Sequence, residues 1–176
     1  MKLIIASDIH GSLKYTKKLE ELIINEQPSK IILLGDLYYH GPRNPLPEEY
    51  NCLEVANILN KYSSLIIAVQ GNCDAEVDQM ISTFLINSQD QKLIVDNYHF
   101  SFSHGHHLDQ QKLDNQIYYF VGHTHIYNIK GNILNPGSIG LPKENKEHTC
   151  FLYQDNQLSL ISLDSLETIA KRNLNE

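Results

Sequence analysis

The chain has 176 residues, 41% of them hydrophobic, which predicts a single compact domain over residues 1–176 with a core of its own. Its formal net charge of −7 offers no basic surface for polymeric DNA or RNA, and a small anionic substrate would need local positive charge at its site. The cysteines are scattered and form no CxxC pair, which excludes a disulfide framework and predicts nitrogen and oxygen ligands for any bound metal.

Strands and helices alternate in the first half of the chain. Apolar runs of strand length occupy 2–7, 30–36 and 64–70, and stretches with helical spacing lie between them, from Ser12 to Gln27 and over 48–61. This order predicts a parallel sheet with right-handed crossovers. The opening apolar run is interrupted by Asp8 and His10, so we expect no signal peptide, no membrane partner and a cytoplasmic protein.

The second half has the signals of antiparallel pairing. Two short strands flank Asp96-Asn97, another begins at Ile117, and hairpins are expected around Gly131-Asn132 and Asp155-Asn156. Residues 167–174 fit either a last strand or a tail. No linker separates the halves, so we predict an α/β fold of two mixed β-sheets packed face to face with helices outside. Sheet edges and exposed tyrosines also allow a homo-oligomer.

Polar residues follow the ends of five predicted strands. They are Asp8 and His10, then Asp36, then Asn72 to Asp74, then His104 and His106, then His123 and His125. The carboxyl ends of strands in an open α/β sheet border one crevice, so these side chains are expected to converge there. Taken singly, each is better explained as a turn residue, a cap or a hydrogen-bonded histidine. Taken together, they would crowd unpartnered polar groups unless a cation organises them, which predicts a metal site.

The ligand types narrow the choice of metal. Imidazoles and carboxylates with one amide carbonyl and no thiolate set suit Mn²⁺, Fe, Ni²⁺, Co²⁺ or Zn²⁺ rather than Ca²⁺. The candidate ligands outnumber the needs of one ion, so two divalent ions are predicted.

The ordered motifs resemble those of a known family. D-x-H, G-D, G-N-x-D, H-G-H and G-H-x-H follow one another from Asp8 to His125, as in the calcineurin-like metallophosphoesterase superfamily. HGPRN at 40–44, GNCD at 71–74 and NPGS at 135–138 are similar to its small bacterial YfcE-type phosphodiesterases. The resemblance implies a four-layer α/β/β/α fold and hydrolysis of a small phosphate diester by a hydroxide bridging two metals. Mn²⁺ is the expected ion, with Ni²⁺, Zn²⁺ or Fe as alternatives.

The resemblance also implies a role for each matching residue. The first metal would be held by Asp8, His10 and His125, the second by Asn72, His104 and His123, and the bridge between them would be Asp36. Asn72 would also lie near the phosphoryl oxygen. Two cations would make the site positive inside an acidic protein, which attracts phosphate.

One position departs from the superfamily pattern. Many members carry a histidine after the asparagine of G-N-x-D, taken to protonate the leaving group, whereas this chain has Cys73. A thiol is a poorer proton donor than an imidazole near neutral pH. Either the general acid is weak and the rate depends steeply on leaving-group acidity, or Cys73 only packs beside the site and another group such as His106 supplies the proton.

Two further residues have open interpretations. Asp74 either orients the residue at position 73 or caps a helix predicted at 75–81. Arg43 either contacts the substrate phosphate through its planar fork or pairs with Glu48 or Glu49.

Two rival functions come from other classes. The small retromer subunit has a similar fold with eroded metal ligands and acts as a protein-interaction scaffold, whereas every matching ligand position is filled here. Some larger relatives are nucleases, but the acidic balance and the absence of a basic or aromatic strand path weigh against polymeric nucleic acid.

Overall fold

Fourteen strands and helices form the part of the chain that the computed structural model describes, residues 1–144 and 146–175. The strands are β1 (Leu3–Ala6), β2 (Lys30–Leu33), β3 (Ile66–Val69), β4 (Ile86–Asn87), β5 (Gln91–Val95), β6 (Tyr98–Phe102), β7 (Ile117–Phe120), β8 (Ile133–Leu134), β9 (Thr149–Gln154), β10 (Gln157–Ser162) and β11 (Thr168–Asn173). The helices are α1 (Leu13–Glu26), α2 (Cys52–Asn60) and α3 (Glu76–Ile81), with one further 3-10 turn at Gln110–Lys112.

The strands form two mixed sheets. The larger has the order β11-β10-β9-β1-β2-β3-β4, in which β1 to β4 are parallel and β9 joins β1 in antiparallel orientation. The smaller has the order β5-β6-β7-β8, with one antiparallel pair followed by two parallel ones. The prediction of two mixed sheets with flanking helices is confirmed. Of residues 167–174, which fitted either a strand or a tail, Thr168–Asn173 form the strand β11 and pair with β10.

The strand β1 shows how the larger sheet separates two cores. Leu3 and Ile5 pack with Phe100 and Phe120 of the smaller sheet, between the two sheets. Ile4 and Ala6 point to the opposite face and pack with helix residues such as Leu19. This division follows from the period-two alternation of strand side chains. The apolar run of β1 is therefore buried on both faces and holds the loop after it in a fixed place.

Three details differ from the predictions. The helix expected over 48–61 begins only at Cys52, because Glu49 has a left-handed φ of 52° and the Asn51 side chain caps the helix at Glu54 N. The hairpin expected around Gly131 is reduced to one antiparallel bridge between Asn128 and Asn135. There the Asn128 side chain bonds Lys130 and Ile133 main-chain groups in place of a strand ladder.

The pairing inside the smaller sheet is the third difference. The turn signals of the second half favoured antiparallel pairing, but β6, β7 and β8 are parallel to one another. Strand periodicity does not carry the direction of the neighbouring strand, which the connecting loops decide. Strand β4, two residues at the sheet edge, is too short for periodicity to predict. None of the described helices is long and apolar enough to cross a bilayer.

Candidate metal centre

Loops that follow five strands meet at one edge of the two sheets. The loop after β1 carries Asp8 and His10, the loop after β2 carries Asp36, the loop after β3 carries Asn72, the loop after β6 carries His104, and the loop after β7 carries His123 and His125. Backbone hydrogen bonds join these loops, for example from Asp8 N to Gly35 O (3.1 Å) and from Gly122 N to His104 O (3.0 Å). The seven residues proposed as metal ligands from the sequence therefore lie together in space.

The backbone of this cluster is held in an unusual conformation. Left-handed φ angles of 50–67° occur at Asp8, His10, Asp36, His123 and His125. Such angles are uncommon for residues other than glycine, and they persist where the surroundings fix them, often at functional sites. Gly71 and Gly122 allow the close packing, because a Cβ on Gly71 would collide with Asp36 and one on Gly122 with Ser7.

Three buried histidines each have one ring nitrogen bonded to a main-chain carbonyl. Nδ1 of His10 donates to Tyr39 O (2.7 Å), Nδ1 of His104 to Leu34 O (2.7 Å), and Nδ1 of His125 to Leu141 O (2.5 Å). A carbonyl oxygen only accepts, so the proton of each neutral ring is on Nδ1 and Nε2 carries a lone pair. These carbonyls orient the rings in the way that metal-binding histidines require.

The three free Nε2 atoms face other acceptors. His10 Nε2 lies 3.3 Å from His125 Nε2, and His125 Nε2 lies 3.3 Å from Asp8 Oδ1. His104 Nε2 lies 3.0 Å from Asn72 Oδ1 and 3.4 Å from Asp36 Oδ2. Asp8 Oδ1 is buried without a hydrogen-bond partner among the described residues. Lone pairs that face one another at these distances need positive charge between them, so the donor set fits divalent cations.

The pKa values of Asp8 and His104 also show that the buried carboxylates favour positive charge beside them. Burial would raise the pKa of Asp8, but the adjacent His10 and His125 rings and the charge of His104 overcome it and hold that pKa far below its usual range. Burial would lower the pKa of His104, but the Asp36 carboxylate raises it to about 9, so without a cation the ring carries a proton on Nε2 that a bound metal ion would displace. Both carboxylates are therefore anions at neutral pH and are available to bind cations.

Asp36 lies between two groups of ligands. Its Oδ2 is 3.6 Å from His10 Nε2 and 3.4 Å from His104 Nε2, and its Oδ1 accepts a hydrogen bond from Cys73 N (2.7 Å). Donor atoms within 4.8 Å of one another are found in three sets, namely Asp8–His10–His125, Asp8–Asp36–His104 and His10–Asp36–Cys73. The carboxylate that the resemblance assigns to the bridge thus has histidines of both proposed metals beside it.

Asn72 and His123 form the exposed side of the centre. The Asn72 side chain donates from Nδ2 to Cys73 Sγ (3.3 Å), which turns its Oδ1 toward His104. His123 N donates to Asp8 Oδ2 (3.0 Å), and its ring centroid is 5.2 Å from that of His104. Burial and the charge of His104 lower the pKa of His123, which keeps it neutral and able to bind a cation. Both side chains are exposed and therefore accessible to a substrate.

Asp74 does not cap α3. The N-cap of that helix is Ala75, and Asp78 accepts from Ala75 N (2.7 Å). The buried Asp74 carboxylate instead accepts three backbone N–H groups, from Asp36 (2.8 Å), Leu37 (2.7 Å) and Gly71 (2.7 Å). Asp74 therefore joins the loops after β2 and β3 and positions the Asp36 backbone.

The expected effect of Asp74→Asn is a loss of stability of about 2–4 kcal/mol, because the new amide group would face at least one N–H that the carboxylate now accepts. Thermal unfolding should show a midpoint lower by roughly 5–12 °C. Asp109→Asn is the matched control, since Asp109 is exposed and pairs with Lys112 on the surface. An equal midpoint for the two variants would contradict this role.

Cys73 and His106 are the two candidate proton donors. Burial, followed by the charge of Asp36, raises the pKa of the Cys73 thiol to about 12. His106 is exposed and packs against His107, with ring centroids 3.9 Å apart. Burial and the charge of His107 lower the pKa of His106, so most of it is unprotonated at neutral pH. Neither group has the acidity of an efficient general acid.

A cleft of about 780 Å³ opens beside the metal ligands. Arg43 lines it and is exposed, while Glu48 and Glu49 pair with Lys14 and Lys17 instead of Arg43. Lys143 also lines the cleft. Its backbone N–H donates to His125 O (3.1 Å), which holds its loop beside the metal ligands. The cleft therefore has two cationic side chains at its edge, in an acidic protein, and these can attract an anion.

Sequence analysis missed Lys143 and the residues that support Asp8. Ser7 Oγ donates to Asp8 Oδ2 (2.6 Å) and Ser138 Oγ donates to Asp8 O (2.8 Å). Ser138 belongs to the NPGS stretch at 135–138. That motif was the signal in the sequence for a residue that holds Asp8. Lys143 follows no motif and reaches the cleft only through the path of its loop.

Comparison with known proteins places the chain in a family. Residues 1–157 match the calcineurin-like phosphoesterase superfamily domain. The chain is 38% identical to phosphodiesterase YfcE of Escherichia coli K12 over 183 aligned positions, which cover 99% of each chain. A solved structure of YfcE, described as a phosphoesterase from E. coli, superposes with a TM-score of 0.92 at 37% identity, covering 99% of this chain and 100% of that one.

More distant structures share the fold alone. Vps29 of Entamoeba histolytica in complex with zinc has a TM-score of 0.61 at 16% identity, covering 99% of this chain and 100% of that one. An archaeal phosphodiesterase has a TM-score of 0.58 at 20% identity, covering 98% and 99%. Together with the match to the family over most of its length, the 38% identity to YfcE shows that the chain belongs to the calcineurin-like phosphoesterase superfamily.

Proposed function

We propose that this protein is a two-metal phosphodiesterase that hydrolyses a small phosphate diester. The observation that carries the proposal is the set of lone pairs at the centre, above all His10 Nε2 facing His125 Nε2 at 3.3 Å beside the unpartnered Asp8 Oδ1. The name phosphodiesterase of the 38% identical relative supports the choice of a diester. Mn²⁺ is the proposed ion, since the nitrogen and oxygen donors suit it.

Each ligand has a proposed place. One ion would be held by Asp8, His10 and His125 and the other by Asn72, His104 and His123, with Asp36 as a ligand available to both. When bound, such a pair of ions supplies an activated water at neutral pH and stabilises charge on the attacking and leaving oxygens. The carbonyls of Tyr39, Leu34 and Leu141 keep the histidine rings in place, so little reorganisation is needed when an ion binds.

The substrate phosphate is proposed to enter between Arg43 and Lys143. Both are exposed at the edge of the cleft, and an arginine fork matches two phosphate oxygens. Tyr39 and Pro42 add apolar surface on the same side of the cleft. A cleft of about 780 Å³ holds a small diester and offers no basic path for a polymer.

The first test is hydrolysis of an aryl phosphodiester by protein stripped of metal with a chelator. Activity should be absent without metal and return on addition of Mn²⁺, because no protein group alone has the acidity or nucleophilicity for the reaction. Hydrolysis should change little between low and moderate salt, and DNA and RNA should stay uncut, since no basic surface holds a polymer. Full activity in the stripped protein, or cleavage of DNA or RNA as the preferred reaction, would contradict the proposal.

Asn72→Ala should lose far more activity than stability. The side chain is exposed, so its removal should change the free energy of unfolding by about 0.5 kcal/mol or less. Its Oδ1 faces His104 Nε2 at 3.0 Å and is the proposed ligand nearest the substrate, so kcat/KM should fall by at least about a hundredfold. Thermal unfolding and steady-state kinetics on the same preparation check this; parallel losses of both would show that Asn72 is only structural.

We also propose a cytoplasmic location and a homo-oligomer. Cys52, Cys73 and Cys150 are all free, in keeping with a reducing cytoplasm. Helix α3 and the loop after it expose Val77, Met80 and Leu85 by 60%, 82% and 65%, which supports self-association through this surface. The measured mass in solution tests the second proposal.

A further inference from the structure

The sulfur of Cys73 lies among the metal ligands. His10, Asp36 and Cys73 each offer a donor atom, and these atoms all lie within 4.8 Å of one another. The Cys73 backbone N–H bonds Asp36 Oδ1 (2.7 Å), so the cysteine and the proposed bridging carboxylate move together. The sequence led us to expect nitrogen and oxygen donors alone, because the chain has no CxxC pair. The fold brings a single thiol beside those donors, at a centre made from other loops.

A second observation supports cation binding at this place. Asp8 Oδ1 is fully buried and unpartnered, and it lies 3.6 Å from the Nε2 atom of the same His10. That Nε2 carries a lone pair, because Nδ1 donates to Tyr39 O. A positive ion beside His10 would therefore satisfy the nitrogen and the carboxylate, with the Cys73 sulfur on its remaining side.

The surroundings of the thiol leave it free to bind. Gly41 has a left-handed φ of 82°, and a Cβ at this position would lie 3.3 Å from Cys73 Sγ. The lack of a side chain at position 41 leaves the sulfur open to the cleft, which both residues line. Asn72 Nδ2 donates to Sγ at 3.3 Å, so the sulfur also contacts a proposed ligand of the second ion.

We propose that Cys73 is an additional ligand that makes this centre selective for thiophilic divalent cations, an inference that rests on the metal site proposed above. A Zn²⁺, Cd²⁺ or Co²⁺ ion held by His10 and Asp36 also binds the Cys73 sulfur, and the thiol proton passes to water as the sulfur–metal bond forms. Mn²⁺ is a harder ion that prefers nitrogen and oxygen, so it leaves the sulfur uncoordinated. The residue at position 73 thus decides which metals the protein retains.

The test is the absorption spectrum of the full chain loaded with Co²⁺, which needs no enzymatic activity. A sulfur–cobalt bond produces a charge-transfer band in the near ultraviolet, whereas nitrogen and oxygen ligands produce only the weaker visible bands. The wild-type protein should show both features, and Cys73→Ser should keep the visible bands and lose the charge-transfer band. Cys52→Ser is the matched control and should retain both, because Cys52 bonds Tyr38 O at the start of α2 and belongs to none of the donor sets.

Affinities provide a second readout. Cys73→Ser should weaken Cd²⁺ binding by about tenfold or more and change Mn²⁺ binding by less than about twofold, measured by competition with a chelating dye. Visible cobalt bands without a charge-transfer band in the wild-type protein would overturn the proposal while leaving the two-metal phosphodiesterase intact. Absence of any cobalt bands would overturn both.

Discussion

Asp36→Asn is expected to lower hydrolysis of an aryl phosphodiester by at least about a thousandfold, or ~4 kcal/mol of transition-state stabilisation. The reason is that both carboxylate oxygens have separate partners. Oδ2 faces His10 and His104 at 3.6 and 3.4 Å, and Oδ1 accepts the Cys73 N–H at 2.7 Å. An asparagine has one oxygen for these two tasks. Its Nδ2 must either point at the two histidines, where it repels a cation, or face the Cys73 N–H, where two donors meet.

The measurement combines kinetics with metal content. Asp36→Asn should bind fewer equivalents of Mn²⁺ than the wild-type protein, because the residue faces ligands of both proposed ions. Asp109→Asn makes the same chemical change at an exposed site with a surface ion pair and should keep full activity and metal content. Wild-type activity in Asp36→Asn would remove this carboxylate from the mechanism. Loss of activity together with loss of the folded state would instead assign it a structural role.

Cys73→His is expected to raise the rate for diesters with poor leaving groups by about a hundredfold. In the wild-type protein the thiol pKa of about 12 makes proton donation to a leaving oxygen inefficient. The leaving oxygen then departs without a proton, as an anion. The rate should therefore depend steeply on leaving-group acidity. A histidine at position 73 would have a pKa nearer neutrality and a longer reach, and its backbone N–H can still bond Asp36 Oδ1.

A graded series of aryl phosphodiesters tests this expectation. The plot of log rate against leaving-group pKa should be steep for the wild-type protein and flatter for Cys73→His, with Cys73→Ser as steep as the wild type. A flat wild-type series would show that an efficient acid is already present. His106→Ala then distinguishes the source, because loss of the flat dependence in that variant would identify His106 as the donor despite its lowered pKa.

The lowered pKa of His106 comes from burial and from neighbouring charge, and only the tertiary structure shows it. His107 lies 3.9 Å away between ring centroids, and His104 lies 5.3 Å away. The sequence H-G-H-H does not show how deeply each of these rings is buried. Folding separates them, because His104 is buried with its Nδ1 on Leu34 O while His106 and His107 are exposed.

The sequence by itself determined the fold class, the family resemblance and the set of residues that meet. This was possible because apolar runs of strand length were each followed by polar residues, and parallel strands bring their carboxyl ends to one edge. The motif from Asp8 to His125 was specific enough to imply the superfamily, which the 38% identity to YfcE shows. The assignment of each ligand to one of two ions came from the resemblance and stays a proposal.

Only the tertiary structure decided the contacts between segments distant along the chain. Asp74 directly precedes a predicted helix, so the sequence favoured its role as a helix cap. In the structure its carboxylate instead accepts hydrogen bonds from the backbone N–H groups of Asp36 and Leu37, which belong to another loop. Lys143 reaches the cleft, and the Cys73 sulfur reaches His10, for the same reason. Periodicity reports which face of an element is buried but carries no information about how loops cross one another. Those crossings placed three bare imidazole nitrogens against carboxylate, amide and imidazole lone pairs, and that geometry supports the metal site.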